Sequence, residues 1–267
     1  MRKVLFVGAG NMGRAILSRA LSEHLLETNQ VVIKEHVPST CEELTRSLGV
    51  EASTSYPDLS TIDTVVLAVK PYILPEVLAE LRALGTLSPS AVLISVAAGV
   101  NFSMLRDWYE SDQWIRVMPN TPVMIGEGMI AVSTFVESDE VPEVVTSIFG
   151  KSGKLVAVSE ANLERLGAYS GTGPGYFYTL LDAMADAGVA IGLTRPLAIE
   201  AAAQTMLGAS KMLLETGLHP SVLRDQVTSP GGTTVAGILA LEKAGGRAAL
   251  QAAVHASYEK ALATQKK

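Results

Sequence analysis

The sequence predicts an α/β fold in which a doubly wound sheet at the N-terminus is followed by an all-α domain at the C-terminus. Three observations lead to this prediction. Short apolar runs alternate with helical patterns over residues 1–159, as in a parallel sheet covered on both faces. A glycine-rich turn directly follows the first run. Residues 160–267 are rich in alanine and contain no convincing strand, so the predicted domains are 1–159 and 160–267.

The expected strands of the first domain are buried, because their residues are apolar on both faces. Helical spacing of apolar side chains predicts helices at Arg14–Leu26 and Cys41–Leu48. Lys70-Pro71 ends one strand and Gly99 ends the next, since proline and glycine rarely continue a strand. The predicted strands are Val4–Val7, Val31–Ile33, Asp63–Val69, Ala91–Ala97, Trp114–Met118, Met129–Thr134 and Lys154–Val158.

The second domain is expected to contain four helices. One of them, Pro196–Glu215, places Glu200, Gln204 and Lys211 on one face, while most of its remaining circumference is Leu, Ile, Met or Ala. A helix that is apolar on so many sides is usually buried on several. Because so small a helical domain can hardly cover it, we expect a subunit interface, and the alternative is the central helix of a monomeric bundle. The predicted helices are Gly175–Ile191, Pro196–Glu215, Thr234–Lys243 and Arg247–Thr264.

Composition and charge exclude several classes of protein. Hydrophobic residues make up 48% of the 267 residues and charged residues 18%, which excludes a disordered chain. With 21 basic and 27 acidic residues the net charge is −6, so neither nucleic acid nor an anionic membrane is an expected partner. We expect no membrane span, and the first apolar run is too short for a signal peptide.

The single cysteine and the histidines argue against disulfides and metals. Cys41 alone cannot form an internal disulfide or a cysteine-cluster zinc site, and a lone cysteine fits a cytoplasmic protein. The spacing of the histidines matches neither a metal site nor a catalytic triad. We therefore expect no bound metal. The histidines are His24, His36, His219 and His255.

Gly8-Ala9-Gly10-Asn11-Met12-Gly13 forms a G-x-G-x-x-G motif between a predicted strand and a predicted helix. In this position the first glycine allows the tight turn, the second lets the backbone approach a pyrophosphate, and the third lets helix and strand pack closely. The helix N-terminus adds amide donors and the positive end of its dipole. The motif therefore predicts a Rossmann-type dinucleotide-binding domain, and the alternative is a glycine-rich turn without a ligand.

Glu35 follows the second strand, 22 residues after Gly13. An acidic side chain at this position normally accepts hydrogen bonds from the adenine ribose hydroxyls, which favours NAD over NADP. Lys34 and His36 flank Glu35 and could instead face a 2′-phosphate. A solvated strand end without a ligand is the third reading of this position.

Two further strand ends and one proline-flanked loop are candidates for the cofactor site. Ala68-Val69-Lys70-Pro71 and Ala97 lie at the carboxyl ends of predicted strands, where open α/β sheets bind ligands. Small residues there let a flat ring approach the backbone. Asn120 lies between Pro119 and Pro122, which restrict its backbone, and its amide could hydrogen-bond a nicotinamide carboxamide. The alternative is that these residues only end their strands.

The loop Thr228–Thr234 precedes a predicted helix of the second domain. The amides of Gly232, Thr233 and Thr234 at the helix start would make an anion site suited to a substrate carboxylate. A plain threonine N-cap explains the same residues equally well.

Candidate general bases are scarce, which weighs against a hydroxyacid dehydrogenase. The same scarcity favours imine reduction, where the site need only orient a substrate that is already protonated.

Several of these segments together resemble the pyrroline-5-carboxylate reductase family over essentially the full chain. The most specific is Val227-Thr228-Ser229-Pro230-Gly231-Gly232-Thr233-Thr234. Ser170-Gly171-Thr172-Gly173-Pro174-Gly175-Tyr176 resembles the family's S-G-S-G-P-A-Y with two conservative departures, and Met118–Pro122 and Ala68–Pro71 also match. The resemblance implies a Rossmann domain, a helical dimerisation domain, and reduction of 1-pyrroline-5-carboxylate to proline with NADPH or NADH, the last step of proline synthesis.

By this resemblance, the cofactor site would be lined by Gly8–Gly13, Ala68, Lys70, Pro71, Ala97 and Asn120. Gly232, Thr233 and Thr234 would bind the substrate carboxylate, with the Thr234 hydroxyl near the imine nitrogen as the catalytic group. Dimers would assemble further, up to a decamer. Glu35 departs from the residues often seen after the second strand, which leaves the choice between NADPH and NADH open.

Two other functions also fit the sequence. A relative of this family could act on another cyclic imine acid or on a β-hydroxyacid. A non-catalytic dinucleotide sensor could use the same Rossmann domain, although it would need no substrate anion site such as Gly232–Thr234. The anion site therefore weighs against the sensor.

Overall fold

The computed structural model describes the backbone of residues 3–265 and the side chains of residues 3–263. Within this range the chain forms two compact units. The first comprises residues 3–172 together with 258–265, and the second comprises Gly173–Ser257. No helix in the described range is long and apolar enough to span a bilayer.

A sheet of eight strands, counted over the described residues, forms the centre of the first unit. The strands are β1 (Val4–Val7), β2 (Val31–Lys34), β3 (Glu51–Ser53), β4 (Thr64–Leu67), β5 (Val92–Ser95), β6 (Trp114–Met118), β7 (Gly128–Thr134) and β8 (Gly153–Ala157). Their order across the sheet is β3-β2-β1-β4-β5-β6-β7-β8. Every predicted strand is present, and neighbouring strands are parallel except for β6 and β7.

The sheet is mostly parallel, as predicted, and the antiparallel pairing of β6 and β7 is its one departure among the described strands. Residues 119–127 connect these strands, whereas parallel neighbours need a crossover of about a dozen residues or more. The short connection turns back through a 3-10 helix at Thr121–Ile125. The length of this loop therefore decides the direction of β7.

The two faces of the sheet bury separate apolar clusters, as expected of a doubly wound fold. Along β1, Val4 and Phe6 belong to one cluster, whereas Leu5 and Val7 belong to the other. Successive side chains of a strand point to opposite faces, so a strand covered on both sides must be apolar throughout. The sheet therefore has the covered faces that its apolar strands predict.

The helices of the first unit connect the strands and cover the sheet. Two of them, α1 (Asn11–Ser22) and α2 (Pro38–Leu48), correspond to the two helices predicted there. The others are α3 (Leu74–Leu84), α4 (Phe102–Trp108), α5 (Glu143–Phe149) and α6 (Glu160–Ser170).

The helix α6 packs on β6 and β7, where Leu163 joins an apolar cluster with Met118 and Ala131. The sequence predicts a domain boundary at 159/160, which is the start of this helix. Because α6 contacts the sheet, the compact first unit instead extends to residue 172.

The second unit consists of α7 (Gly173–Ala190), α8 (Arg195–Thr216), α9 (Pro220–Gln226), α10 (Thr233–Lys243) and most of α11 (Gly246–Gln265). They include the four predicted helices, with ends shifted by at most two residues. The helices α7 and α8 pack closely because Gly188 has no side chain. A Cβ there would lie 2.8 Å from the Cβ of Ala198.

Much of the apolar surface of the second unit is exposed. In α8 the buried residues are Ala198 and Ala202, whereas Ile199, Leu207 and Leu214 are 52%, 50% and 82% exposed. The central helix of a monomeric bundle would bury such side chains, so that alternative is wrong. A broad exposed apolar surface instead indicates a surface that another protein molecule covers.

Candidate active site

The glycine-rich loop follows β1 and opens α1, as the motif requires. Gly8 has φ +87°, and a Cβ there would lie 2.7 Å from Val69 Cγ1 and 3.1 Å from Val69 N. A Cβ on Gly13 would lie 2.7 Å from the carbonyl oxygen of Gly8. The close packing of this turn against the end of β4 therefore requires both glycines.

Gly10 and the start of α1 form the open part of the loop. A Cβ on Gly10 would meet no described atom within 4 Å, so a ligand can approach the backbone here. Gly10 is the N-cap and carries no side chain, so no capping group covers the first amides of α1. These are the amides of Asn11, Met12 and Gly13. Such amides, with the helix dipole, are suited to a pyrophosphate.

Glu35 is buried beside this loop, with 6% of its surface exposed, so it is not a solvated strand end. Its Oε2 accepts a hydrogen bond from Ala9 N–H at 2.9 Å, and its Oε1 accepts from the N–H groups of His36 at 2.8 Å and Val37 at 3.3 Å. Burial acts to raise the pKa of Glu35. The three amide donors and the nearby imidazole of His36 outweigh burial and hold that pKa below its usual value.

The carboxylate of Glu35 thus ties the glycine-rich loop to the turn between β2 and α2, a role that the sequence did not indicate. His36 Nδ1 also lies 2.7 Å from Glu35 Oε1. Lys34 Nζ lies 5.2 Å from the centre of the Tyr56 ring. Ribose hydroxyls that donate to Glu35 would therefore share oxygens that already accept from the protein. The negative charge remains at the position where Rossmann domains place the ribose.

The carboxyl ends of β2, β1, β4, β5 and β6 lie side by side, and we call the residues that follow them the ligand edge. Ala68 and Val69 are half-buried, Lys70 is exposed and precedes a 3-10 helix that begins at Pro71, and Ala97 is buried. The chain reverses its direction of travel across the sheet between β1 and β4, which is where such folds bind ligands. The structure therefore brings these predicted residues and the glycine-rich loop to one edge.

Asn120 is also at the ligand edge, but its side chain is 8% exposed and bonded to the protein at both ends. Its Nδ2 donates to the carbonyl of Ser170 at 3.0 Å, and its Oδ1 accepts from Met129 N–H at 2.9 Å. The side chain therefore holds the β6–β7 loop to α6 and to β7. Its contact with nicotinamide stays a prediction.

The loop before α10 ends in a glycine cap. The N-cap is Gly232 and no side chain caps the helix, so the alternative of a threonine N-cap is wrong. Gly231 has φ +71°, and Gly232 N–H donates to the Ser229 carbonyl at 3.0 Å, which shapes the turn. Thr233 and Thr234 occupy the first turn of α10 and are exposed. The first amides of α10 and the Thr234 hydroxyl are therefore accessible to an anionic ligand.

Other polar features lie apart from these residues. His219 caps α9, with its Nδ1 accepting from Ser221 N–H at 3.2 Å. Over the part of the chain that the structure describes, no three His, Cys, Asp or Glu side chains are placed to hold a metal. A cavity of about 720 Å³ is lined by residues such as Arg106 and Phe135 and by none of the predicted site residues.

The sequence reasoning missed one charged residue in the sheet. Arg116 of β6 is 1% exposed, and its guanidinium lies 2.8 Å from Glu160 Oε1 and 2.5 Å from Glu164 Oε1 of α6. An arginine inside an apolar strand is a signal that points to buried acidic partners, because an unpaired buried charge is costly.

Comparison with protein families matches both parts of the chain. Residues 3–99 match the family described as NADP oxidoreductase, coenzyme F420-dependent. Residues 160–264 match the family described as pyrroline-5-carboxylate reductase dimerisation. The second match begins with α6 and runs into α11, so the C-terminal part of the chain is a dimerisation domain of that type.

Relatives and solved structures cover nearly the whole chain. The pyrroline-5-carboxylate reductase of Arabidopsis thaliana is 40% identical over 257 residues, which are 96% of this chain and 92% of that protein. The Escherichia coli enzyme of the same name is 35% identical over 97% of both chains. A structure of the Coxiella burnetii enzyme is 30% identical, with a TM-score of 0.86 over 98% of both chains. The Plasmodium falciparum enzyme, solved with NADP bound, is 29% identical, with a TM-score of 0.83 over 99% of this chain and 98% of that one. This chain therefore belongs to the pyrroline-5-carboxylate reductase family.

Proposed function

We propose that this protein reduces 1-pyrroline-5-carboxylate to L-proline with NADPH or NADH, the last step of proline biosynthesis. The observation that carries the proposal is a pair of helices whose N-cap is a glycine, Gly10 for α1 and Gly232 for α10, so that no side chain covers their first amides. They match the two anionic ligands of this reaction, a dinucleotide and a carboxylate. A relative that aligns with 96% of the chain is named for the same reaction.

The dinucleotide binds at the ligand edge. The first amides of α1 hold its pyrophosphate, and Gly10 leaves room for the phosphates. Ala68, Val69, Lys70, Pro71 and Ala97 form the wall for the nicotinamide, where the alanines permit close approach of a flat ring. When bound, the reduced nicotinamide supplies a hydride. The NADP bound to the Plasmodium falciparum relative supports a dinucleotide as the cofactor.

The substrate carboxylate binds at the start of α10, to the amides of Thr233 and Thr234. Gly232 borders this site and leaves it open as a glycine N-cap, while its own N–H donates to the Ser229 carbonyl within the turn. The hydroxyl of Thr234 hydrogen-bonds the ring nitrogen and orients the C=N bond, which makes Thr234 the catalytic residue. The nitrogen of a cyclic imine can already carry a proton in water. Addition of one hydride to the protonated C=N bond then yields a secondary amine, and the chain needs no general base.

The protein forms a homodimer through its C-terminal helices, and the larger assembly is a decamer. The exposed apolar side chains of α8, together with the match to a dimerisation family, support a second copy of the chain as the partner. The net charge of −6 argues against nucleic acid and anionic membranes as partners. The single buried cysteine, Cys41, supports a cytoplasmic location.

Oxidation of the reduced dinucleotide on addition of 1-pyrroline-5-carboxylate tests the proposal. Purified protein should consume NADPH or NADH and release one proline for each dinucleotide oxidised. A six-membered cyclic imine acid and a β-hydroxyacid serve as comparison substrates. Faster turnover of either one would assign the protein to a different reaction, and dinucleotide binding without any turnover would indicate a sensor.

A further inference from the structure

The helix α6 lies along β6 and contacts it at three levels. Arg116, Met118 and Asn120 alternate along the chain at and just beyond β6, so they face the same side of the sheet. Their partners on α6 follow one another at spacings of three and four residues and therefore share one helix face. These partners are Glu160, Glu164, Gly167 and Ser170.

The first level is the ion-pair cluster of Arg116 with Glu160 and Glu164. Glu160 Oε1 also accepts a hydrogen bond from Phe102 N–H at 2.7 Å, which adds the start of α4 to the cluster. Two carboxylates share one guanidinium. The amino-terminal half of α6 is therefore positioned by directional contacts between the planar guanidinium and the two carboxylates, as well as by apolar packing.

The second and third levels continue toward the ligand edge. A Cβ on Gly167 would lie 3.2 Å from Met118 Cγ, so the helix backbone rests closely on that side chain. At the end of α6, the Ser170 carbonyl is one of the last four that have no partner within the helix. Asn120 satisfies this carbonyl. Residue 172, where the chain leaves the first unit, follows two positions later.

We propose that Arg116 and Asn120 are positioning residues that act as a brace. Together they fix α6 along β6. The β6–β7 loop of the ligand edge and the end of α6, where the chain leaves the first unit, are then held in a fixed position relative to each other. The kinetic consequence rests on the proposed function, because hydride transfer is sensitive to displacements on the order of 1 Å. The mechanical coupling between Arg116 and Asn120 does not depend on any substrate.

Hydrogen exchange in the full-length protein tests the coupling. The Met129 amide donates to Asn120, so its exchange rate reports whether the Asn120 contacts persist. The double variant Arg116→Met, Glu164→Leu removes the fork without stranding a single buried charge. We expect Met129 to exchange at least about tenfold faster in this variant than in the wild-type protein. An unchanged rate in the folded variant would overturn the brace.

Two further variants keep this test decisive. Arg116→Lys retains the charge but replaces the planar fork by a point charge, so its Met129 amide should exchange severalfold faster than in the wild-type protein. This variant tests the coupling independently if the double variant does not fold. Arg165→Met changes an exposed arginine on the same helix, which bonds Asn162 and not the sheet. Its Met129 rate should match the wild-type rate. Equal acceleration in the Arg165 variant would show a general loosening of α6 and would overturn the brace.

Kinetics of Asn120→Asp separate positioning from cofactor contact. The carboxylate keeps an acceptor for Met129 N–H but cannot donate to the Ser170 carbonyl. We expect kcat/KM for 1-pyrroline-5-carboxylate to fall about 10- to 100-fold, while the Kd of the reduced dinucleotide changes by less than about threefold. A Kd that rises by the same factor, with kcat retained, would make Asn120 a cofactor contact. Unchanged kinetics would limit the brace to stability, and either result overturns its role in catalysis.

The two proposals fail in different ways. A wild-type protein that does not turn over 1-pyrroline-5-carboxylate contradicts the proposed function. The exchange rate of Met129 in the Arg116 variants still decides whether the brace exists, because that measurement requires no substrate.

Discussion

Removing the charge of Glu35 while keeping its shape tests how the protein chooses between NADPH and NADH. Glu35→Gln retains a side-chain oxygen that can accept from Ala9 N–H, as Glu35 Oε2 does at 2.9 Å. The substitution cancels the negative charge, which three amide donors hold in its ionised form. Any change in cofactor preference then reports the electrostatic effect of Glu35 on the 2′-phosphate.

The magnitude follows from the position of Glu35 at the end of β2. The adenine ribose of a Rossmann domain lies near this carboxylate. We take roughly 7 Å as the separation between the carboxylate and the charge of a 2′-phosphate. At an effective dielectric constant of about 20, the repulsion is about 2.4 kcal/mol for one phosphate charge. Salt reduces it by about half at that distance. A phosphate charge of about −1.5 to −2 leaves about 1.8–2.4 kcal/mol, or about 20- to 60-fold in the NADPH-to-NADH ratio of kcat/KM.

Steady-state kinetics with both cofactors at fixed ionic strength measure this ratio. In this variant the side-chain nitrogen that replaces Oε1 cannot accept from the N–H groups of His36 and Val37, but this loss affects both cofactors alike and cancels in the ratio. Glu51→Gln is the matched control, because Glu51 is an exposed acid of the neighbouring strand and pairs with Val32, away from the ligand edge. We expect both cofactors to serve the wild-type protein and the ratio to rise in the Glu35 variant alone. An unchanged ratio would show that the Glu35 charge does not act on the 2′-phosphate.

Four further outcomes are expected. Thr234→Ala should lower kcat/KM about 5- to 150-fold, the loss of one oriented hydrogen bond of about 1–3 kcal/mol, with the dinucleotide Kd unchanged; an unchanged kcat/KM would remove Thr234 from catalysis. Gly13→Val should abolish dinucleotide binding in a fluorescence titration, because even a Cβ would lie 2.7 Å from the Gly8 carbonyl oxygen, and retained affinity would contradict that packing. Light scattering should give at least twice the chain mass of 28.1 kDa, and an active monomer would refute the interface on α8. The folded state lowers the pKa of Glu35, so the ionised carboxylate stabilises the fold above the unfolded pKa of about 4.3, and this stabilisation is lost as pH falls through the lower folded pKa. Thermal unfolding should therefore show that the Glu35→Gln variant loses less stability than the wild-type protein as pH falls below about 4.

The fold class and the position of the ligand edge follow from local features of the sequence. Apolar runs such as Val4–Val7 predicted strands because a strand covered on both faces must be apolar throughout. Gly8, Gly10 and Gly13 predicted the turn because their spacing directly after an apolar run is that of a dinucleotide-binding loop. Both signals depend on residues close in the chain, so they could be read without the tertiary structure.

Other elements needed the structure. The strand β3 has three residues and a partly exposed pattern, so no apolar run marks it. The direction of β7 depends on the short loop after β6 rather than on the residues of β7. The packing of α6 on the sheet depends on Arg116, whose partner Glu160 is 44 residues away in the chain.

The roles of Glu35 and Asn120 were decided by tertiary structure. Glu35 accepts from Ala9 across 26 residues, and Asn120 donates to Ser170 across 50. Sequence patterns report contacts within a helical turn or along one strand. A buried polar group instead pairs with whichever donor or acceptor the fold brings to it. The sequence by itself therefore determined which residues lie at the ligand edge, and only the folded chain decided which of their side chains bind the protein and which stay open to a ligand.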